Sequence, residues 1–411
     1  MQENNTELIL IRISGLDRPG LTTIITEILS RYDVDIMDIG QAVIHSTLSL
    51  GILFKCSDKD SGNIMKELLF KASDLGINLR FYPVLSEEYS QWVDMQGKNR
   101  YILTMLARQI SARQIAGATQ ILAEQGLNID GIHRLTGRIP LDEKKSKTRA
   151  CIEFSVRGTP KDPEEMQKSL MQFSTSQTVD FSFQQDNMYR RMRRLICFDM
   201  DSTLIETEVI DELAIRAGVG DQVKAITERA MRGEIDFKES FEQRIALLKG
   251  LDESVLQEIA HNLPITEGVE RLMFVLKKYG YKIAILSGGF TYFGNYLKEK
   301  FGIDYVYANQ LEIVDGKLTG KYVGEIVDGK RKAELLRLIA QVENVDIAQT
   351  IAVGDGANDL PMLSVAGLGI AFHAKPKVVA NAQQSINTIG LDGVLYFLGF
   401  KDSYLEERGK L

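Results

Sequence analysis

The chain has 411 residues, 44% of them hydrophobic and 26% charged, with a formal net charge of −7. That balance excludes a disordered or fibrous protein, and the length predicts two or three domains because one hydrophobic core rarely organises so long a chain. The acidic excess argues against nonspecific attraction to nucleic acid or anionic membrane, leaving room only for a local basic pocket.

The opening stretch MQENNTELILIRIS has no cationic segment ahead of a secretory apolar core. No run nears the ~20 apolar residues of a membrane span, so a cytoplasmic location is expected. Cys56, Cys151 and Cys197 are widely spaced and form no CxxC pair, which points to neither a disulfide framework nor a structural zinc site. Cys197 lies inside an apolar strand pattern and reads as a buried small hydrophobe.

Residues 7 to 13, ELILIRI, alternate like a strand, and GLDRPGL turns the chain into the helical pattern LTTIITEILSRYDV. A strand from Ile36 to Val43, the strand STLSLGILFKC, the helix NIMKELLFKASDLG and the strand NLRFYPVL complete a βαββαβ order. EEYSQWVDMQGKN reads as a linker. From Asn99 the order returns in RYILTMLAR, SARQIAGATQILAEQG, LNIDGIHRLTGRI, TRACIEFSVRG, PEEMQKSLMQFSTS and VDFSFQQD. The repetition is of pattern more than of identity, so it predicts two related α+β units, not a solenoid. After MYRRMRR, apolar strands LICFDM, YKIAILSGG, DYVYAN, TIAVGDG and GLGIAF are separated by helical stretches, which predicts a parallel α/β sheet. The expected boundaries are 1–88, 98–186 and 192–411, with a helical insertion at about 207–265.

In such a sheet ligands lie beyond the carboxyl ends of the strands. Asp199 and Asp201 follow LICF, Ser287 with Gly288 and Gly289 follows KIAIL, and Asp355 and Asp359 follow TIAV. A single Asp there is explained as readily by helix capping. Three acidic or glycine-rich motifs at one crevice are not, and carboxylates gathered without counter-charge would repel one another unless a divalent cation neutralised them; oxygen-only donors suit Mg²⁺.

DMDSTLIETEVIDELA, SGGF, the lysine of GKRKAELL and VGDGANDLPML resemble the signature elements of the haloacid-dehalogenase-like phosphatases, and within them the phosphoserine phosphatase branch. The resemblance spans the whole third unit. It implies a Rossmann-like parallel sheet with a small helical cap, and Mg²⁺-dependent hydrolysis of O-phospho-L-serine, the last step of serine biosynthesis. Asp199 would be the nucleophile that forms an aspartyl-phosphate, Asp201 the general acid and then base. The metal ligands would be Asp199, the Asp201 backbone carbonyl and Asp355. Ser287 and the Gly288 N–H would bind phosphate oxygens. Lys332 would offset charge beside the nucleophile, with Lys330 and Arg331 as neighbouring cations that read as a solvated helix start. Glu208 would hold the substrate amino group and Arg244 its carboxylate, Asn358 would lie near the phosphate, and Asp359 near the metal's outer shell or Lys332. Met231 and Phe237 match apolar positions that close over the ligand; helix packing explains them equally well.

Such chemistry needs chiefly positioning and charge neutralisation, with an acid to protonate a poor alkoxide leaving group. His45, His133, His261 and His373 have no ligand spacing and are assigned no role.

The βαββαβ order with GLDRPGL at the first turn resembles an ACT domain, a ferredoxin-like module that often binds amino acids, over residues 7 to 85. DRPG is equally a structural turn. ARQISAR stands in its place in the second copy, which argues against ligand binding there. Serine or another amino acid at the first copy, and a homodimer by analogy with ACT pairing, are the expected partners, with neither nucleic acid nor membrane among them. Rival functions are a phosphatase for phosphothreonine or homoserine phosphate, a phosphotransferase using the same groups, and a non-catalytic amino-acid sensor on the same scaffold.

Overall fold

The structure is a computed structural model that describes residues 6–97, 99–138, 141 and 148–405. The chain divides into two compact units, Met1–Lys98 and Asn99–Leu411.

The first unit runs β1 (Thr6–Leu16), α1 (Leu21–Leu29), β2 (Asp35–Ile44), β3 (Thr47–Ser57), α2 (Asp58–Leu75) and β4 (Asn78–Val84). Its antiparallel sheet has the order β2-β3-β1-β4. Side chains alternate across a strand, so Ile9, Ile11 and Ile13 enter one core with Leu50, Ile52 and Phe54 while Arg12 stays exposed. Gly20, at φ 86°, makes the left-handed turn from DRPG into α1, a conformation that glycine adopts without strain. The stretch expected as a linker is in fact helical over α3 (Ser86–Asp94). The Leu85 N–H donates to the Glu88 carboxylate at 3.2 Å, a cap that starts a helix with no buried residue.

The second unit opens with β5 (Arg100–Ala107), α4 (Ala112–Glu124), β6 (Asn128–Arg134), β7 (Ala150–Arg157), α5 (Pro163–Gln177) and β8 (Asp180–Gln185). Its sheet order, β6-β7-β5-β8, repeats that of the first unit. Buried residues lie on both faces of this second sheet, though its edge strand β6 is largely exposed. Leu103, Met105 and Phe154 pack under α4 and α5, whereas Leu106, Leu135 and Cys151 share a core with Ile196 and Phe198 of the following domain.

That domain continues through α6 (Met188–Arg191), β9 (Leu195–Phe198), α7 (Val209–Arg216), α8 (Gly220–Met231), α9 (Phe237–Ala246), α10 (Ser254–His261), α11 (Val269–Lys278), β10 (Lys282–Phe290), α12 (Thr291–Phe301), β11 (Tyr305–Val314), β12 (Lys317–Val323) and α13 (Gly329–Val342). It closes with β13 (Thr350–Gly354), α14 (Leu360–Val365), β14 (Leu368–Phe372), α15 (Pro376–Val379), β15 (Gln384–Ile386), α16 (Val394–Phe397) and α17 (Asp402–Leu405). The seven-stranded sheet has the order β12-β11-β10-β9-β13-β14-β15 and is parallel except where β12 returns against β11. The β11–β12 hairpin went unread in the sequence. Its signal is Asp315-Gly316, with φ of 48° and 73°, the two left-handed positions that such a tight turn demands.

The chain leaves β9 toward β10 on one side and later returns to β13 on the other, so a crevice opens beyond the end of β9. Helices α7 to α10 form the small cap inserted after β9. No helix among the described residues is long and apolar enough to cross a membrane.

Candidate active site

β9 is central, and all four of its residues are buried, which is why LICF carries no charge. Pairing extends one residue further, where the Asp199 N–H donates to the Val353 carbonyl at 2.9 Å. The chain then turns sharply. The Met200 carbonyl accepts from the N–H groups of Thr203, Leu204 and Ile205, and Ser202 adopts φ 56°. Strand alternation therefore ends at Asp199, and the following loop carries Asp201 to the start of the cap, where its Oδ1 accepts from the Val209 N–H at 3.2 Å.

Lys332 rises from the first turn of α13, whose start is fixed by Asp328 accepting from the Arg331 N–H at 2.8 Å. Its ammonium is fully buried and lies 2.9 Å from Asp199 Oδ1 and 2.7 Å from Asp359 Oδ1. Lys330, by contrast, has its side chain 87% exposed, and Arg331 pairs with Glu334 on the surface. Asp359 also accepts from the Gly356 N–H at 2.9 Å, closing the loop after β13. Any side chain at Gly354 would place its Cβ 2.4 Å from the Asp359 carboxyl, so this close approach requires glycine.

Asp199, Asp355 and Asp359 each offer an oxygen, and these atoms lie within 4.8 Å of one another. Burial, and then the charge of Asp199, push Asp355 up to about 8 and Asp359 up to about 7. Three acids this close resist ionising together with only the Lys332 ammonium between them, and a divalent cation with hard oxygen donors would relieve that repulsion. The residues present thus fit a Mg²⁺-type ion. Thr203 Oγ1 donates toward Asp355 Oδ1 at 3.4 Å.

Above this cluster a cavity of about 1020 Å³ opens between the sheet and the cap. Asp199, Asp201, Asp355, Gly288 and Asn358 line its sheet side, and Glu208, Arg244, Met231 and Phe237 its cap side. Glu208 Oε1 accepts from Ser202 Oγ at 3.0 Å, and Arg244 Nε donates to the Ser240 carbonyl at 3.3 Å. Burial raises the pKa of Glu208, offset in part by the Ser202 hydrogen bond and the Arg244 charge, and lowers that of Arg244, offset in part by Glu208. Asp201 is pushed well above the usual carboxylate range by burial, then by Glu208 and Asp199.

Ser287 is fully buried at the end of β10 and accepts at Oγ from the Gly289 N–H at 2.9 Å. Asn309 holds this turn, donating to the Gly288 carbonyl and accepting from the Val327 N–H, each at 2.8 Å. The structure therefore brings together every acid, the lysine and the cap residues singled out in the sequence.

Sequence reasoning overlooked Asp211, whose carboxyl faces Arg244, and Lys375 and Lys377, which line the cavity near the end of β14. Signals existed for both. Glu208 precedes α7 and Asp211 lies in its first turn three positions on, and β14 ends at the same crevice as β9 and β13.

Residues 7–82 match the ACT domain family and residues 193–367 the haloacid dehalogenase-like hydrolase family. Over 406 residues the chain is 37% identical to the phosphoserine phosphatase of Streptomyces coelicolor, covering 98% of this chain and 95% of that one. This chain belongs to the phosphoserine phosphatase family. The Saccharomyces cerevisiae phosphoserine phosphatase is 44% identical over 268 residues, 64% of this chain and 87% of the yeast protein. The crystal structure of a probable phosphoserine phosphatase from Vibrio cholerae superposes with a TM-score of 0.57 at 35% identity, covering 74% of this chain and 87% of that one. Members of the phosphoserine phosphatase family are phosphoric monoester hydrolases, and so is this chain.

Proposed function

We propose that this chain hydrolyses O-phospho-L-serine to L-serine and phosphate through an aspartyl-phosphate on Asp199. One observation carries the reading: the Asp199 carboxylate faces a cavity whose opposite wall bears Glu208 and Arg244, a negative and a positive group suited to an ammonium and a carboxylate.

The anchoring bonds to Asp199 from Lys332 and from the Met200 N–H, at 2.9 and 2.7 Å, both fall on Oδ1, which orients Oδ2 as the attacking oxygen. In the first step Oδ2 bonds to phosphorus and the bond from phosphorus to the serine oxygen breaks. Asp201, whose carboxyl burial pushes well above the ordinary carboxylate range, donates its proton to the departing alkoxide. Asp201 then takes a proton from water, the water oxygen attacks phosphorus, and Asp199 is released with free phosphate. Lys332 balances the charge of Asp199, the Gly288 N–H and Asn358 at the cavity wall hold phosphate oxygens, and Ser287, buried just behind them, would reach the phosphate through its Oγ. Asp199, Asp355 and the Asp201 backbone carbonyl would hold Mg²⁺, which supplies neutralisation of the phosphoryl charge. Asp359 sits behind them, fixing Lys332.

The ACT match at residues 7–82 supports a regulatory role for an amino acid such as serine, in a homodimer. Serine titration of the whole chain and of residues 99–411 tests it, and identical responses would remove it.

The catalytic reading is tested by phosphate release from phosphoserine with Mg²⁺, comparing the natural chain with Asp199→Asn and with a chelator, alongside phosphothreonine as competitor substrate. Equal release by the Asp199→Asn chain would sink it.

A further inference from the structure

A second cavity, of about 280 Å³, lies where the second βαββαβ domain meets the parallel-sheet domain. Met166, Leu170 and Phe181 from α5 and β8 form one wall, and Val379 at the end of α15 and Ala382 from the segment before β15 form the other. The walls are tied together at the backbone. Gln384 accepts from the Phe183 N–H at 3.0 Å and donates to its carbonyl at 3.2 Å, and Gln167 donates to the Ala382 carbonyl at 3.3 Å.

None of the residues lining this cavity is charged. An ionic ligand would lose its hydration there without a counter-charge, so the occupant must be neutral. Most of the lining is apolar, with Ser174, Gln383 and Ser385 offering a few donors and acceptors. The volume stands close to the lower end of small-molecule pockets, roughly 300 Å³.

The catalytic cavity and this one share a thin wall. Lys375, Lys377 and Val378 line the first, whereas Val379 and Ala382 line the second, so consecutive residues of α15 serve opposite spaces. Close-packed walls transmit displacement, since neither side can yield without moving the other.

We infer that the cavity binds a small, uncharged, mainly apolar molecule, and that its occupancy alters substrate binding through α15. The coupling rests on the reading of the larger cavity as the phosphoserine site; the binding itself does not.

Indole, neutral and largely apolar, is the probe. With methyl-labelled methionines, the Met166 and Met171 resonances should shift saturably as indole is added. KM for phosphoserine should change by about fivefold, with kcat moving less. Both effects should vanish in Ser174→Trp, which fills the space from α5, and in Gln383→Trp, which fills it from an exposed position on the other side. No saturable shift at the two methionines overturns the site, and a saturable shift with unchanged KM overturns the coupling. Because binding is read without turnover, a failure of the catalytic reading shows separately, as absent phosphoserine hydrolysis before any indole is added.

Discussion

The Lys332 ammonium, sealed from solvent, stands 2.9 Å from Oδ1 of Asp199. Burial works against its charge, yet Asp199 and Asp359 outweigh that cost and hold its pKa above the ordinary lysine value. Replacing it with methionine leaves two buried carboxylates without their cation. We expect Lys332→Met to lower kcat/KM at least about 100-fold while the fold persists by circular dichroism, and Lys332→Arg to fail as a rescue because a planar guanidinium does not fit between the two acids. Activity within a few-fold of the natural chain in either variant would contradict the charge-balancing role.

Gly289 offers a steric test of the Asp201 position. A Cβ there would lie 2.4 Å from Asp201 Oδ2 and 2.9 Å from Met200 Cε. Gly289→Ala must therefore displace the acid, and a shift of this size is expected to cost about 100-fold in kcat, with KM changed far less. Steady-state kinetics on phosphoserine decide it, and unchanged kcat would mean that Asp201 is not held where it is needed.

Glu208 and Arg244 should act on selectivity more than on chemistry. Glu208→Gln and Arg244→Ala are expected to raise KM for phosphoserine by about 10- to 100-fold while leaving hydrolysis of an aryl phosphate, which lacks both charged groups, largely intact. Parallel losses on the two substrates would reject substrate recognition by these residues.

Where the chain is cut should matter in a particular way. Residues 6–84 have their own core around Ile11, Ile52 and Phe54, so removing 1–98 should leave a folded remainder. Removing the second βαββαβ domain as well strips Leu106, Leu135 and Cys151 from the core they share with Ile196 and Phe198, and severs the two bonds from Arg108 to Glu267 at 2.8 and 2.6 Å. Thermal unfolding of chains starting at 99 and at 192 should show the second much less stable or aggregated; equal melting points would refute a shared core.

Asp180 supplies a pH test at the same junction. Its carboxylate accepts from the N–H groups of Asn387 at 2.8 Å and Thr388 at 2.9 Å, and from Thr388 Oγ1 at 2.5 Å. Burial nevertheless pushes its pKa from 3.8 up to about 6. Between those two values the folded chain keeps a proton that the unfolded chain has shed, so through this group stability falls as pH rises, by at most about 1.4 kcal/mol per pH unit, and levels off above about pH 6. Urea unfolding from pH 4 to 7 should show that contribution as the difference between the natural chain and Asp180→Asn; parallel curves would argue against a raised pKa.

Much of this was legible in the chain itself. Alternation in ELILIRI and the unbroken apolar run of LICF specify strands through local side-chain periodicity, and Asp199, Asp355 and Ser287 could be placed at strand ends because a charge or a glycine turn interrupts each run. The repeated βαββαβ order was equally visible. The helix at Ser86–Asp94 was not, because its start depends on one capping bond, from the Leu85 N–H to Glu88, in a stretch with no buried stripe.

The motif resemblance had already favoured Lys332 over Lys330 and Arg331, but only the tertiary structure could pair it with Asp359 across 27 positions of chain and place Lys375 and Lys377 at the same cavity. The burial of residues on both faces of the second sheet was also its decision. Periodicity tells which side of an element seeks cover, since that preference is a property of adjacent residues. What supplies the cover, and which distant charges meet beneath it, depends on how whole elements pack, a long-range outcome that no short window of sequence contains.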